Sequence, residues 1–106
     1  MIYCFDIDGT ICTTDCHYED AEPFVEVIKK INKLYEDGHF ISMCTSRGDR
    51  SGKDWTELTE KQLSKWNVKF NELRMVKPGA DVYVDDKCVN IKDWCLENNL
   101  KYGVKK

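Results

Sequence analysis

No apolar stretch of this chain approaches the ~20 residues needed to cross a bilayer. No internal repeat, low-complexity tract or domain linker interrupts it, and only two prolines occur in 106 residues. A membrane-spanning helix, a solenoid and a two-domain arrangement are therefore excluded by pattern, and residues 1–106 read as a single domain. A chain of this length buries about 60–70% of its unfolded surface around one core. Basic charge is also scarce: 16 Lys and Arg stand against 19 Asp and Glu, a net charge of −3 that gives no support to a generic nucleic-acid binder. Nothing at the start resembles a secretory leader, because the first residues read as a strand that ends in acids. The six cysteines lack a zinc-finger pattern, since Cys12, Cys16 and His17 have no second ligand pair at suitable spacing. Without a leader, disulfides are not expected. Cys4, Cys44, Cys88 and Cys95 sit within or beside apolar segments, where a thiol behaves as a small hydrophobe. The expectation is a cytoplasmic chain with free thiols and no membrane contact.

What is present centres on Ile2-Tyr3-Cys4-Phe5-Asp6-Ile7-Asp8-Gly9-Thr10. A strand-forming apolar run ends in two carboxylates. Asp6 and Asp8 are two residues apart, so on a strand they share one face. Carboxylates this close repel, and both stay ionised only beside a cation; an all-oxygen ligand set suits Mg²⁺.

A polar loop follows over 11–20, and then the clearest helix of the chain. Phe24, Val27, Ile28, Ile31, Leu34 and Tyr35 keep helical spacing, with Pro23 expected at the first helical position and Gly38 at the stop. Phe40–Thr45 reads as a buried strand, followed by the glycine-punctuated loop 46–53 with its three cations. Residues 54–66 read as a second helix with Asp54 as a cap, and Leu73–Val76 as a short strand running to Lys77. Asp81–Val84 reads as a fourth strand ending in Asp85 and Asp86, Asn90 as the cap of a third helix, and 100–104 as a last strand or an end segment. Alternation of strands and helices implies βαβ units and a parallel sheet.

In a parallel sheet all carboxyl ends of strands face one edge, where ligands bind. Asp6 and Asp8, Thr45 and Ser46, Lys77, and Asp85 and Asp86 would then share a crevice. That set suits phosphoryl transfer: a carboxylate attacks phosphorus, a second acid moves the proton, and a hydroxyl, an ammonium and Mg²⁺ neutralise phosphoryl oxygens.

Asp6-Ile7-Asp8-Gly9-Thr10, Thr45 after an apolar strand, Lys77, and Asp85-Asp86 resemble, in order and spacing, the four motifs of the haloacid dehalogenase superfamily of phosphohydrolases. The resemblance implies a three-layer Rossmann-like core, with a parallel sheet of about four or five strands and helices on both faces. It implies Asp6 as the nucleophile that becomes a phosphoaspartate, and Asp8 as general acid/base with its backbone carbonyl on the metal. It implies Thr45 as the phosphate-binding hydroxyl, Lys77 as the lysine that steadies nucleophile and phosphate, Asp85 as a Mg²⁺ ligand, and Asp86 as a ligand or its neighbour. More narrowly, the segments Asp6–Cys12, Tyr18–Pro23, Ser46–Gly48 and Asp54–Thr59 are similar to small phosphatase-like proteins encoded with bacterial capsule and surface-sugar biosynthesis. No cap domain fits in the gaps between motifs, and only Pro78-Gly79-Ala80 separate Lys77 from the expected fourth strand.

The leading expectation is a Mg²⁺-dependent phosphomonoester hydrolase acting on a sugar phosphate or a similar phosphorylated small molecule, with Ser46 and Arg47 contacting substrate. A homo-oligomer or a partner subunit would cover the open site. Two alternatives stand beside it. One is a nucleic-acid end phosphatase using Arg47, Arg50, Lys53 and Lys87 as a basic rim. The other is a non-catalytic binding subunit that keeps the fold.

Overall fold

The computed structural model describes residues 1–105, an α/β fold built on a three-stranded parallel sheet with three helices. The order is β1 (Ile2–Asp6), a 3₁₀ turn (Tyr18–Asp20), α1 (Val25–Glu36), β2 (Phe40–Cys44), α2 (Thr56–Lys65), β3 (Glu72–Arg74) and α3 (Ile91–Glu97). β2 lies in the centre and pairs in parallel with both neighbours, Asp6 opposite Cys44 and Cys44 opposite Arg74. The ends of all three strands therefore meet at one edge of the sheet. Among the described residues no helix is long and apolar enough to cross a membrane.

The helices follow the sequence pattern and share one stop. His39 N–H donates to Leu34 and Gly38 N–H to Tyr35, so α1 ends in a pair of backbone bonds that needs a left-handed residue, supplied by Gly38 at φ 93°. Asn67 and Asn99, at φ 57° and 56°, serve the same purpose after α2 and α3. Asn90 caps α3 by accepting from Lys92 N–H at 2.9 Å, as expected. Asp54 stands one residue before the N-cap of α2 but still accepts from Thr56 N–H. Pro23 is not the first helical residue; α1 starts at Val25, and Pro23 pairs with Cys12 in an isolated antiparallel bridge.

The register decides which side faces the core. Tyr3, Phe5, Ile41, Met43 and Leu73 share one face of the sheet and all belong to the core or pack on it. Val27, Ile28, Ile31 and Leu34 of α1, Leu63 of α2, and Trp94 and Cys95 of α3 join the same cluster. The alternate strand residues, among them Ile2, Cys4, Phe40 and Cys44, do not, and Ile2 and Cys4 are exposed. Among the described residues the sheet has three strands, not the expected four or five. Residues 81–84 are irregular, and every residue from 81 to 90 is exposed. Residues 100–104 are not a strand either.

Candidate active site

β1 delivers Asp6 to the sheet edge, and the turn beyond it is built tightly. Ile7 carbonyl accepts from both Thr10 and Ile11 N–H, Gly9 N–H donates to Cys12 carbonyl, and Ile7, Ile11 and Cys12 are fully buried. These apolar anchors fix the turn that carries Asp8. Tyr102, from the far end of the chain, closes it by donating its hydroxyl to Gly9 carbonyl at 2.6 Å.

Asp6 faces Lys77, whose ammonium lies 3.5 Å from the Asp6 carboxylate. Burial pushes the Asp6 carboxyl above its ordinary 3.8, while Lys77 and the Ile7 backbone N–H pull the other way and Asp8 adds to the rise. Lys77 is placed by its own backbone, because its N–H donates to Thr45 carbonyl at 3.2 Å. Its ammonium also lies 4.4 Å from the ring centre of Tyr83, whose hydroxyl donates to Pro78 carbonyl. Thr45, at the end of β2, is 1% exposed, and its hydroxyl oxygen accepts from Arg47 N–H at 3.1 Å. The Thr45 hydroxyl proton is left free to donate.

Asp8 faces Arg47. Nε donates to Oδ2 at 2.9 Å and Nη2 to Oδ1 at 2.8 Å, a two-pronged ion pair. Nη1 donates to Thr59 Oγ1 at 3.1 Å and Gln62 Oε1 at 2.7 Å on α2. The guanidinium also lies 4.7 Å from the ring centre of Tyr18. Burial works against the charge on Arg47, but the hydrogen bonds and charge of Asp8 outweigh it and hold the guanidinium above its ordinary range. All three guanidinium nitrogens are bonded to Asp8, Thr59 and Gln62, so Arg47, expected as a substrate contact, positions Asp8 instead. Asp8 itself keeps 21% of its side chain exposed and remains open to the crevice. Thr59 and Gln62 escaped the sequence reading, although two polar residues flanking Leu63 on the buried face of a helix were a usable signal.

The loop after Thr45 is shaped by Gly48, at φ 84°, where a Cβ would lie 2.2 Å from Lys53 carbonyl. It reaches the loop after Lys77: Asp49 accepts from Gly79 N–H at 2.9 Å and Arg50 donates to Gly79 carbonyl at 2.7 Å. Ser46, Arg50, Gly79, Ala80 and Asp81 line an open cavity beside the strand ends.

Asp85 and Asp86 do not join the site. Both are exposed, and Asp85 accepts from Lys87 N–H at 2.6 Å within its own turn. Among the described residues no group of three or more His, Cys, Asp or Glu side chains is placed to hold a metal. Asp85 is not grouped with Asp6 and Asp8 there, so the three-aspartate set expected for Mg²⁺ is not assembled. The Asp6 carboxylate and the Asp8 backbone carbonyl remain as oxygen donors, and one or two protein oxygens with waters suit Mg²⁺.

No protein-family model and no curated protein matches the chain. Among solved structures, a structural-genomics target from Vibrio cholerae is similar over 88% of this chain and 85% of its own, with 24% identity and a TM-score of 0.77. That likeness shows the fold.

Proposed function

We propose that this protein is a phosphomonoester hydrolase of the haloacid dehalogenase type, in which Asp6 attacks phosphorus and forms a phosphoaspartate. The observation that carries this reading is the separation of two carboxylates into two environments at one sheet edge: Asp6 beside an ammonium, Asp8 gripped by a guanidinium. Paired acids with different surroundings take different roles. Asp6 has one flank toward Lys77 and is free to approach phosphorus. Lys77 offsets charge on the phosphoryl oxygens, and the Thr45 hydroxyl has a proton to donate to one of them. Asp8, fixed in rotation by Arg47 and held as a carboxylate, takes a proton from the water that attacks the phosphoaspartate, and the leaving oxygen of the first step takes its proton from solvent. The Asp6 carboxylate and the Asp8 backbone carbonyl would hold a Mg²⁺ ion, which would supply charge neutralisation to the phosphoryl oxygens.

We take a small phosphorylated metabolite as the substrate class, with Arg50, on the wall of the open cavity beside Ser46 and Gly79, offering a cation to its phosphate. Arg47 is not available to a basic rim, which weakens the nucleic-acid reading. The dispersal of Asp85 favours a second reading, a binding subunit without turnover. Purified protein assayed against phosphorylated metabolites and phosphorylated oligonucleotides, with Mg²⁺ and with chelator, separates the readings. Turnover lost in Asp6→Asn supports the hydrolase, and absence of turnover on every substrate supports the binding subunit.

A further inference from the structure

A second chemical site lies on the sheet face that carries Asp6. Asp6 is opposite Cys44 in the β1–β2 register, so Cys4, two residues earlier on β1, lies on the same face as Cys44 and diagonal to it. Their Sγ atoms are 2.9 Å apart. Cys4 is exposed and Cys44 half-buried. The Cys44 thiol also lies against the chain, donating to Phe5 carbonyl at 3.5 Å, while Cys4 meets solvent. Other thiols have different neighbours: Cys12 is buried and turned toward Ile7 carbonyl and Asp8, and Cys16 toward Thr13.

We propose that Cys4 and Cys44 are a reversible oxidative modification site, joined as a disulfide by a peroxide. The Cys4 sulfur, on losing its proton, attacks one peroxide oxygen; the O–O bond breaks, Cys4 becomes a sulfenic acid, and the released hydroxide takes the proton as water. The Cys44 sulfur then attacks Cys4. The S–S bond forms, the S–O bond breaks, and the departing hydroxide takes the Cys44 proton as a second water. Two thiols are oxidised by two electrons and one peroxide is reduced to two waters. The sulfurs close from 2.9 Å to about 2.05 Å, and attack by a small thiol reopens the bond. Because Asp6 shares this face and is the register partner of Cys44, the modification sits next to the proposed nucleophile.

The test uses the full chain treated with hydrogen peroxide, alkylated, and cleaved before aspartates without reduction. This cleavage isolates Cys4 alone in residues 1–5 and Cys44 alone in residues 37–48. The expected result is a monomer lighter by two hydrogens, a cross-linked peptide joining those two fragments, and recovery of both free thiols with dithiothreitol. Cys4→Ser and Cys44→Ser should each lose the cross-link. Cys4 recovered as a sulfinic acid, or bonded to Cys16 or Cys88 while Cys44 is alkylated, would overturn the proposal. The wild-type digest decides even where a variant folds poorly, and it does so whether or not the protein hydrolyses phosphate.

Discussion

Arg47 holds Asp8 by both carboxylate oxygens, at 2.9 and 2.8 Å, from a position 39 residues further along the chain and almost wholly out of water. The contact ties the turn after β1 to α2, because the remaining guanidinium nitrogen bonds to Thr59 and Gln62. Arg47→Ala should therefore destabilise the fold by about 2–4 kcal/mol, since it strands a carboxylate and two buried acceptors. Arg47→Lys should recover part of that stability and none of the fork, so turnover should fall more than stability does. Thermal melts alongside kcat for the two variants check this. An Arg47→Ala protein as stable as wild type would place the guanidinium in solvent.

Asp6 carries a stability cost that the proposed chemistry explains. Its carboxyl titrates above the ordinary 3.8, so the folded state binds this proton more tightly than the unfolded state. The stabilisation from that proton is complete below about 3.8 and is lost as pH rises through the raised folded value. Above the raised folded value the wild type bears a partly buried charge that Asp6→Asn lacks. Asp6→Asn should melt higher than wild type at pH 7, and the difference should close as pH falls toward 3.8. A variant that melts lower at pH 7 would mean that the Lys77 contact outweighs burial.

Mg²⁺ held by the Asp6 carboxylate and the Asp8 carbonyl should shift the thermal midpoint without depending on Asp85. Asp85→Ala should leave stability within about 0.5 kcal/mol, as expected at an exposed position. A saturating Mg²⁺ shift that disappears in Asp85→Ala would show Asp85 at the sheet edge with Asp6.

Tyr102 reaches across the chain to the Gly9 carbonyl at 2.6 Å and packs edge-on against Phe24 at 5.0 Å. Tyr102→Phe keeps the ring and removes the hydroxyl, and should cost about 1 kcal/mol. Because the lost bond steadies the turn beside Asp8, kcat should fall while KM changes little. An unchanged kcat would make Tyr102 a packing residue alone.

Much of this arrangement was legible from local pattern. The 3.6-residue period of α1, its stop at Gly38, the cap at Asn90 and the apolar runs of β1 and β2 are short-range signals, and each appears where its residues placed it. The pairing of Asp6 with Lys77 followed from parallel topology, which turns strand ends into neighbours. Asp81-Val82-Tyr83-Val84 misled because alternation shows that a segment could lie on a sheet, not that it does. Arg47 misled for the opposite reason. In sequence it stands between Ser46 and Gly48 like a solvated loop residue, and only the folded position of α2 brings Thr59 and Gln62 to it.

The central claim is that Asp6 is the nucleophile, and trapping the phosphoenzyme tests it most directly. Protein that turns over a phosphomonoester is quenched in acid during steady state, digested, and sequenced by mass spectrometry. The account predicts one added phosphoryl group on Asp6, removed by hydroxylamine and absent in Asp6→Asn together with turnover. Turnover that persists in Asp6→Asn, or a phosphoryl group found on another residue, would contradict it.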